Sequence, residues 1–403
     1  MIRLLHIADI HIGTKFVSRK EEVRKILKKS VMKAFQNAID FAIEERVDGV
    51  IIAGDLFDSG EIPFHGEAGF IAMMERLEDA RIHVFYTSGN HDPYQGSTLY
   101  EKLKKYTYIH PFYNKVAETI DIISQSGQAY KVISAGHDGP AISDNIIKTF
   151  PIKSGHDIHI GIGHTMVSAV NGTVDHGNYM PCSLEDLKSK KYDYFALGHI
   201  HKAMELDEEG RIRYAGNIQG RHINETGEKG GWLIKLENGD IDSTFVPFHQ
   251  VEWQEITVNL SANDDTTYAL QERIKEGLFI HLSKGRQFIV RINLEGQTPL
   301  YNRLDDEAIS ELEEFVESLG PILDVTVKTR KLQPLVDREE LKIGEHFLGA
   351  FLSDFDEDVT QFKTYLRDVT FISDKAKKDK KSFVDEILAT LDDSLIQKIK
   401  KQV

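Results

Sequence analysis

Chemically useful side chains follow an apolar run of the chain in the segment Gly89-Asn90-His91-Asp92. Residues 82–87 predict a buried strand, so these polar side chains emerge at its carboxyl end, where open α/β sheets hold ligands. Asn90 offers a neutral oxygen to a metal ion, and His91 offers a ring nitrogen that can transfer a proton near neutral pH. One tetrapeptide predicts little alone, but comparable segments recur along the chain.

Four other apolar runs end in side chains of the same kinds. They deliver Asp9 and His11 after residues 3–8, Asp55 and Asp58 after residues 49–53, His164 after residues 156–162, and His199 and His201 after residues 192–197. Side chains two apart on an extended chain share a side, so such a pair can hold one ion. Loops that merely close strands rarely repeat this composition. We therefore predict a two-metal site on the rim of a sheet, bridged by Asp55.

The elements between these segments predict the sheet that would position them. Residues 19–46 and 64–80 carry apolar side chains at helical spacing, as expected for crossover connections in a parallel sheet covered on both faces. The first helix also carries a basic face, formed by Arg24, Lys25, Lys28, Lys29 and Lys33. A local phosphate-binding surface is one interpretation, and an ordinary solvated helix face is the other.

Some histidines are interpreted as structural. His156 and His159 precede the end of their predicted strand, so they are expected to be satisfied within the fold rather than to bind metal. The segment Gly136-His137-Asp138-Gly139 resembles the tetrapeptide at 89–92 but lacks the asparagine, and it is interpreted as a turn.

Length and composition limit the classes of protein to consider. A chain of 403 residues, 41% of them hydrophobic, is globular and long enough for two or three domains. Its formal net charge of −15 argues against coating nucleic acid by bulk electrostatics, so any contact with DNA must be local.

Cysteine usage and hydropathy indicate where the protein acts. The single cysteine, Cys182, cannot form an intrachain disulfide, which fits a reducing compartment, and it is assigned no role. The first residues do not resemble a signal peptide, and no apolar run approaches the roughly 20 residues that span a bilayer. We therefore expect a cytoplasmic protein that does not contact a membrane.

The five segments together resemble the motifs of the calcineurin-like metallophosphoesterases, in order and with plausible spacing. Within that superfamily the chain is similar to the SbcD group of DNA repair nucleases, and most similar to its bacterial YhaO-type branch. The resemblance implies an α/β fold, a two-layer β-sandwich flanked by helices, with a dinuclear centre that usually holds Mn²⁺. Carried over by position, it suggests one ion on Asp9, His11, Asp55 and His201, and another on Asp55, Asn90, His164 and His199.

The chemistry of a dinuclear centre gives these residue types a purpose. Two cations about 3.5–4 Å apart activate a water and stabilise a phosphate during in-line displacement, and mixed His, Asp and Asn ligation suits manganese. His91 is the candidate proton donor to the leaving oxygen, or a clamp on the phosphate charge. Asp58 or Asp92 is expected to orient it.

Two departures from the family pattern bear on the site. Archaeal and eukaryotic relatives typically have histidine where this chain has Asp58, whereas bacterial SbcD-type sequences have aspartate, so any histidine role at that position is absent here. After the last motif, Gly216-Asn217 replaces the common Gly-Ser, which favours the YhaO-type branch. Arg221 and His222 follow in a glycine-bounded loop that either contacts substrate phosphate or is purely structural.

Three regions are predicted along the chain. Residues 1–250 form the metallophosphoesterase domain, and residues 251–333 form a small α+β capping domain, which in SbcD-like nucleases helps to bind DNA. Residues 334–403 form a helical C-terminal tail that ends in an amphipathic helix at 383–399. That helix would pack on the chain's own core or bind a partner.

Three classes of function remain open at this point. The favoured one is a metal-dependent DNA exonuclease or endonuclease acting in DNA repair. The others are a phosphatase or cyclic-nucleotide phosphodiesterase, and a catalytically inactive scaffold. The resemblance also implies an SbcC-type (YhaN-like) coiled-coil ATPase as partner and leaves a homodimer open. Exonuclease polarity and strand preference are not fixed by the sequence.

Overall fold

The computed structural model describes residues 1–59, 64–94, 98–168, 179–282 and 286–335. Its α-helices are Glu21–Glu44 (α1), Phe64–Asp79 (α2), Thr98–Leu103 (α3), Leu184–Lys188 (α4), Thr267–Leu282 (α5) and Asp306–Glu317 (α6). Its strands are Ile2–Ile7 (β1), Gly49–Ala53 (β2), His83–Thr87 (β3), Ile109–Phe112 (β4), Glu118–Ile123 (β5), Ala129–Ser134 (β6), Ile158–His164 (β7), Val167–Ser168 (β8), Cys182–Ser183 (β9), Tyr194–Gly198 (β10), Met204–Glu205 (β11), Ile212–Tyr214 (β12), Gly230–Glu237 (β13), Asp240–Pro247 (β14), Val251–Leu260 (β15), Gln287–Thr298 (β16) and Ile322–Pro334 (β17). The predicted C-terminal helices lie outside the described residues.

The first sheet has the strand order β14-β13-β1-β2-β3-β4, with β1 to β4 parallel. Helices α1 and α2 make the crossovers, because each buries an apolar stripe against one face of the sheet. Along β1 and β2, Leu5 and Val50 face these helices, whereas Leu4 and Ile51 face the other way. Parallel strands place their carboxyl ends at a common edge, and the ligand candidates Asp9, His11, Asp55 and Asn90 follow β1, β2 and β3 at that edge.

The second sheet has the order β11-β12-β10-β7-β6-β5 and packs against the first. Ile160 and Ala196 of its central strands share one buried cluster with Ile51 and Phe85 of the first sheet. The predicted sandwich flanked by helices is therefore confirmed. The parallel sheet is indeed covered on both faces, but one of the covers is a second sheet rather than another helical layer.

The stretch between β3 and β7 contains three further strands of the sandwich, β4, β5 and β6. β4 spans only four residues and includes Pro111, and most residues of β5 are exposed or half-buried. Such short or solvated strands lack the alternation that marks a half-buried strand in sequence. Here the strands are held by pairing with their neighbours, β4 with β3 and β5 with β6.

A third sheet, β15-β16-β17, packs on α5 and α6 as the predicted α+β unit. Alternate residues such as Val290 and Ile292 enter its own apolar core. Asp305 caps α6, since its side chain accepts a hydrogen bond from the Ala308 amide at 2.9 Å. Among the described residues, no helix combines the length and apolar character needed to span a bilayer.

Candidate metal centre

The carboxyl ends of five strands, three from the first sheet and two from the second, meet at one edge of the sandwich. Backbone hydrogen bonds join them: the Asp9 amide donates to Gly54 at 3.1 Å, and the His11 amide donates to Asp55 at 3.0 Å. The two sheets are joined where the His199 amide donates to the Asp9 carboxylate at 3.0 Å. The seven proposed ligands, Asp9, His11, Asp55, Asn90, His164, His199 and His201, lie together at this edge. We call this edge, with its seven proposed ligands, the rim. Both sheets contribute to it.

Several of these ligand candidates adopt a backbone conformation that non-glycine residues avoid. The φ angles are 49° at Asp9, 51° at His11, 50° at Asp55 and 99° at His199. Positive φ costs an L-residue of order 1–3 kcal/mol and persists only where the surroundings impose it. Asp and His tolerate this conformation better than most residues do, and four of the seven ligand candidates adopt it at the strand ends.

Two glycines allow the strand ends to approach one another. A Cβ added at Gly54 would lie 2.2 Å from Nδ1 of His164, and one at Gly89 would lie 2.1 Å from Oδ1 of Asp55. Any side chain at either position would displace a proposed ligand. The glycines of the 54–58 and 89–92 segments are therefore part of the site's construction.

One group of donor atoms surrounds the facing imidazoles of His11 and His201. Their Nε2 atoms lie 3.2 Å apart, and Nε2 of His11 is 3.7 Å from Oδ2 of Asp55. Ligand atoms of Asp9, His11 and His201 all lie within 4.8 Å of one another. We call this group the first position.

A second group of donor atoms lies on the other side of Asp55. Nε2 of His164 is 3.3 Å from Oδ2 of Asp55 and 2.9 Å from Oδ1 of Asn90. The same Asn90 oxygen is 3.2 Å from Nδ1 of His199. This is the second position, and Asp55 reaches both groups as a bridging carboxylate must.

Electrostatics in the rim favour cations. Burial lowers the pKa of His11 and lowers that of His199 to about 3, so both imidazoles are neutral and carry free lone pairs. Burial disfavours ionised Asp55, but the neighbouring His164 outweighs it and holds the Asp55 pKa well below its usual value. Burial likewise opposes protonation of His164, yet Asp55 raises its pKa to about 9. A cation entering the rim would therefore displace a proton from His164.

His91 lies beside the donor groups with an exposed side chain. Its amide donates to Oδ1 of Asp55 at 2.9 Å, and its Nδ1 donates to the backbone carbonyl of Asp58 at 2.8 Å. The contact that orients His91 thus comes from the carbonyl of Asp58 rather than from its carboxylate. Nε2 of His91 remains directed away from this contact.

The other proposed orienting residue, Asp92, points into the core. Its carboxylate accepts hydrogen bonds from the Leu56 amide at 2.7 Å, the Gly89 amide at 2.7 Å and the Tyr86 hydroxyl at 2.6 Å. Burial raises its pKa to about 6. Asp92 therefore ties the loop after β2 to the loop after β3 beneath the site.

The loop after β12 contains a carboxylate that sequence reasoning missed. Glu225 accepts hydrogen bonds from Nδ1 of His201 at 2.7 Å and from Nδ2 of Asn217 at 2.6 Å. Arg221, one of the predicted substrate contacts, donates from Nη1 to Oδ1 of Asp58 at 2.8 Å. The other, His222, is exposed, with its Nε2 3.1 Å from Oε1 of Glu225. The Gly-Asn departure from the family pattern thus has a role, because Asn217 holds Glu225.

Of the two histidines predicted to be structural, His159 is buried within the fold and His156 is exposed. Nδ1 of His159 donates to the Asp157 carbonyl at 2.9 Å, away from the rim. His137, in the segment interpreted as a turn, is fully buried and its Nε2 donates to the His164 carbonyl at 2.8 Å. No sequence signal linked His137 to the site, because its contact is to backbone.

The sequence is similar to those of known metallophosphoesterases and nucleases. The calcineurin-like phosphoesterase family matches residues 2–203. The uncharacterized metallophosphoesterase YhaO of Bacillus subtilis strain 168 is 30% identical over 322 residues, which covers 79% of this chain and 77% of YhaO. The DNA double-strand break repair protein Mre11 of Sulfurisphaera tokodaii is 29% identical over 255 residues, covering 59% of this chain and 60% of Mre11. The SbcD component of the nuclease SbcCD of Escherichia coli K12 is 24% identical over 278 residues, covering 60% of this chain and 67% of SbcD.

The family match extends across every strand end that contributes to the rim. At its far end it includes both histidines that follow β10. The chain therefore belongs to the calcineurin-like phosphoesterase family.

Proposed function

We propose that the chain is a manganese-dependent DNA nuclease that hydrolyses phosphodiester bonds at the two positions described above. Family membership implies a phosphoester hydrolase with a pair of divalent ions. The finer assignment is supported by similarity to Mre11 and to SbcD, whose names place them in double-strand break repair and in a nuclease. The observation that carries the proposal is Asp55 shared between two donor groups, with His91 beside them.

The donor atoms fit a pair of cations. Nδ1 of His201 donates to Glu225, so in the neutral imidazole Nε2 presents a lone pair to the facing Nε2 of His11 at 3.2 Å. Neutral His11 is best explained in the same tautomer, since its Nδ1 lies 3.3 Å from Asp58. Two facing lone pairs repel each other unless a cation lies between them. Imidazole, carboxylate and amide donors together suit Mn²⁺.

The chain's own residues would have separate roles in hydrolysis. The cations, when bound, lower the pKa of an attacking water and neutralise charge that develops on the phosphoryl group. Asp55 fixes the two positions relative to each other, and Asn90 and the histidines complete their donor sets. His91, held through Nδ1 by the Asp58 carbonyl, would act in its imidazolium form, donating the Nε2 proton to the leaving oxygen and becoming the neutral Nδ1–H imidazole.

A local basic surface supports a nucleic-acid substrate despite the acidic chain. Arg291, Lys328, Arg330 and Lys331 line an open cavity of about 520 Å³ on the third sheet. Glu255 lies 3.6 Å from Arg291 and Glu295 lies 2.8 Å from Lys331, so the four cations exceed the two carboxylates and leave a net positive charge. Phosphate contacts by lysine and arginine position a nucleic acid without reading its sequence. We include residues 251–333 in the proposed DNA-binding surface as a capping domain.

An ATPase partner forms a further part of the proposal. The sequence has no Gly-Lys-Ser or Gly-Lys-Thr loop, so ATP-dependent control would come from another chain such as an SbcC-type ATPase. Residues 343–403 would recruit it. Truncation before Lys375 should abolish co-purification with that ATPase while leaving the melting temperature and Mn²⁺-dependent activity nearly unchanged. A destabilised, aggregation-prone product would show that the tail packs on its own core.

The substrate assignment is tested by offering three phosphoesters in parallel. The wild-type chain with Mn²⁺ would receive labelled linear DNA, a cyclic nucleotide and a phosphomonoester, with a metal-free reaction as control. We expect Mn²⁺-dependent DNA cleavage to exceed turnover of the other two. Preferential turnover of the cyclic nucleotide or the monoester would contradict the nuclease assignment while retaining the two-metal hydrolase.

A further inference from the structure

We propose that Glu225 and Asp58, held together by Arg221, position the two histidines of the first position and make it the tighter of the two metal positions. The inference rests on the metal centre proposed above, but not on the identity of the substrate. None of these three side chains has to contact a cation or a phosphate to act in this way. Each is a positioning residue whose effect passes through His11 or His201.

Glu225 is fixed by hydrogen bonds to both of its oxygens. It is 6% exposed, and its Oε1 accepts from Nδ1 of His201 while its Oε2 accepts from Nδ2 of Asn217 and from the Arg221 amide at 2.7 Å. The donated proton fixes the tautomer of His201 and directs Nε2 toward His11. A carboxylate behind an imidazole also makes the imidazole a stronger donor to a metal.

Asp58 occupies the corresponding place behind His11. Its Oδ1 lies 3.3 Å from Nδ1 of His11, close enough for electrostatic attraction although His11 Nδ1 makes no well-directed hydrogen bond. The same oxygen accepts from Nη1 of Arg221 at 2.8 Å. Binding of a cation by Nε2 would make Nδ1 more acidic and strengthen its attraction to Asp58.

Arg221 joins these two carboxylates into one assembly. Its Nη1 contacts Asp58, and its Nε lies 3.6 Å from Oε1 of Glu225. The side chain is only 14% exposed, so most of the guanidinium faces protein rather than an approaching phosphate. One guanidinium between two carboxylates leaves an excess of negative charge behind His11 and His201, which favours a cation in front of them.

In the second position, the ring nitrogen that faces away from the donor group contacts a different kind of partner. Nδ1 of His164 donates to the Ala53 carbonyl at 3.0 Å and lies farther, at 3.9 Å, from Asp9. Neutral oxygens polarise an imidazole less than hydrogen-bonded carboxylates do. The two positions should therefore differ in affinity although both use Asp55.

Calorimetric titration of the full chain with Mn²⁺ alone tests the inference. The wild type should show two classes of site, and Glu225→Gln should weaken the tighter class by about 10–100-fold while the other changes less than about threefold. Glu228→Gln is the matched control, because Glu228 lies three residues away and is 45% exposed. Placing Glu225→Gln in an Asn90→Ala background, where the second position is impaired, should weaken the remaining tight ion.

Asp58→Asn provides the test if Glu225→Gln fails to fold. Asp58 is 27% exposed, so its replacement disturbs less buried structure, and we expect the tighter class to weaken by about tenfold. Unchanged Mn²⁺ affinity in a folded variant would overturn the proposal, and so would equal weakening of both classes. A wild type that binds fewer than two ions would contradict the metal centre itself, whereas failure to cleave DNA would leave this result intact.

Discussion

The rim of the sandwich and the three-stranded segment at 251–333 differ in backbone conformation and in the side chains that they bury. The rim holds Asp9, His11, Asp55 and His199 at positive φ and buries several ionisable groups. Among the described residues of 251–333, only Gly296 has positive φ, and the core is aliphatic and aromatic. Among the described residues, positive φ therefore occurs at four ligand candidates and at no non-glycine residue of the three-stranded segment, although that segment also buries the carboxylates of Glu252, Asp264 and Asp324. The three-stranded segment follows ordinary patterning, and its packing should contribute stability rather than chemistry.

Replacing the bridge should have the largest effect. Asp55→Asn removes the shared carboxylate, and loss of several kcal/mol of charge stabilisation corresponds to about 10³-fold or more in rate. Asparagine tolerates positive φ better than most residues, but the variant also loses the ion pair between Asp55 and protonated His164 at 3.3 Å, so the ion-free variant should unfold more easily than the wild type at pH 7. Calorimetry with Mn²⁺ and rate measurements check this. Two bound ions and full activity would refute the role of Asp55.

Removing His91 should separate chemistry from ion capture within the rim. His91→Ala should reduce the rate of hydrolysis by about 10²–10⁴-fold, the usual contribution of proton transfer, while both ions still bind. Parallel Mn²⁺ titrations and single-turnover rates distinguish the effects. Simultaneous loss of metal and activity would place His91 among the ligands.

A core substitution in the three-stranded segment should lower stability and leave Mn²⁺ binding unchanged. Ile292 is fully buried, so Ile292→Ala should lower the free energy of unfolding by about 2–5 kcal/mol. Mn²⁺ affinity of the folded variant should stay at the wild-type value, as measured by chemical denaturation and calorimetry on the same sample. A large change in Mn²⁺ affinity would mean that the two regions are not separable.

The smallest expected effect is a dependence of metal binding on pH. With a pKa of about 9, His164 carries a proton at pH 7 that a cation must displace. Apparent Mn²⁺ affinity should therefore rise by up to about tenfold per pH unit between pH 7 and 9. In the ion-free chain the sign is reversed: stabilisation by protonated His164 is complete below its unfolded pKa of 6.5 and is lost as pH rises through 9. Titrations and melting curves across this range provide the measurement.

Sequence alone located the strand ends because apolar runs that stop at Asp, Asn or His are local patterns. The ligand candidates followed from that pattern, and the structure brings all seven together. Their division between two sheets did not follow, since period and composition say nothing about which strands pair. The resemblance to a family supplied the sandwich where local patterns suggested one parallel sheet.

The supporting contacts were beyond sequence reasoning for a different reason. Glu225 and His137 are separated from the histidines they contact by 24 and 27 positions, with no periodicity to connect them. The contact from Asp58 to His91 uses a backbone carbonyl, which every residue possesses. Residue identity therefore cannot reveal it, and only the path of the chain does.

The wide spacing of the rim along the chain has a consequence for how the protein acquires its ions. His11 and His201 are separated by 190 positions, and His199 contacts Asp9 across the same distance. Contacts this distant form late, because loop closure must precede them. During synthesis, no partial chain shorter than about residue 201 contains a complete first position. Metal loading should therefore follow folding, and bound Mn²⁺ should retard unfolding rather than template the native state.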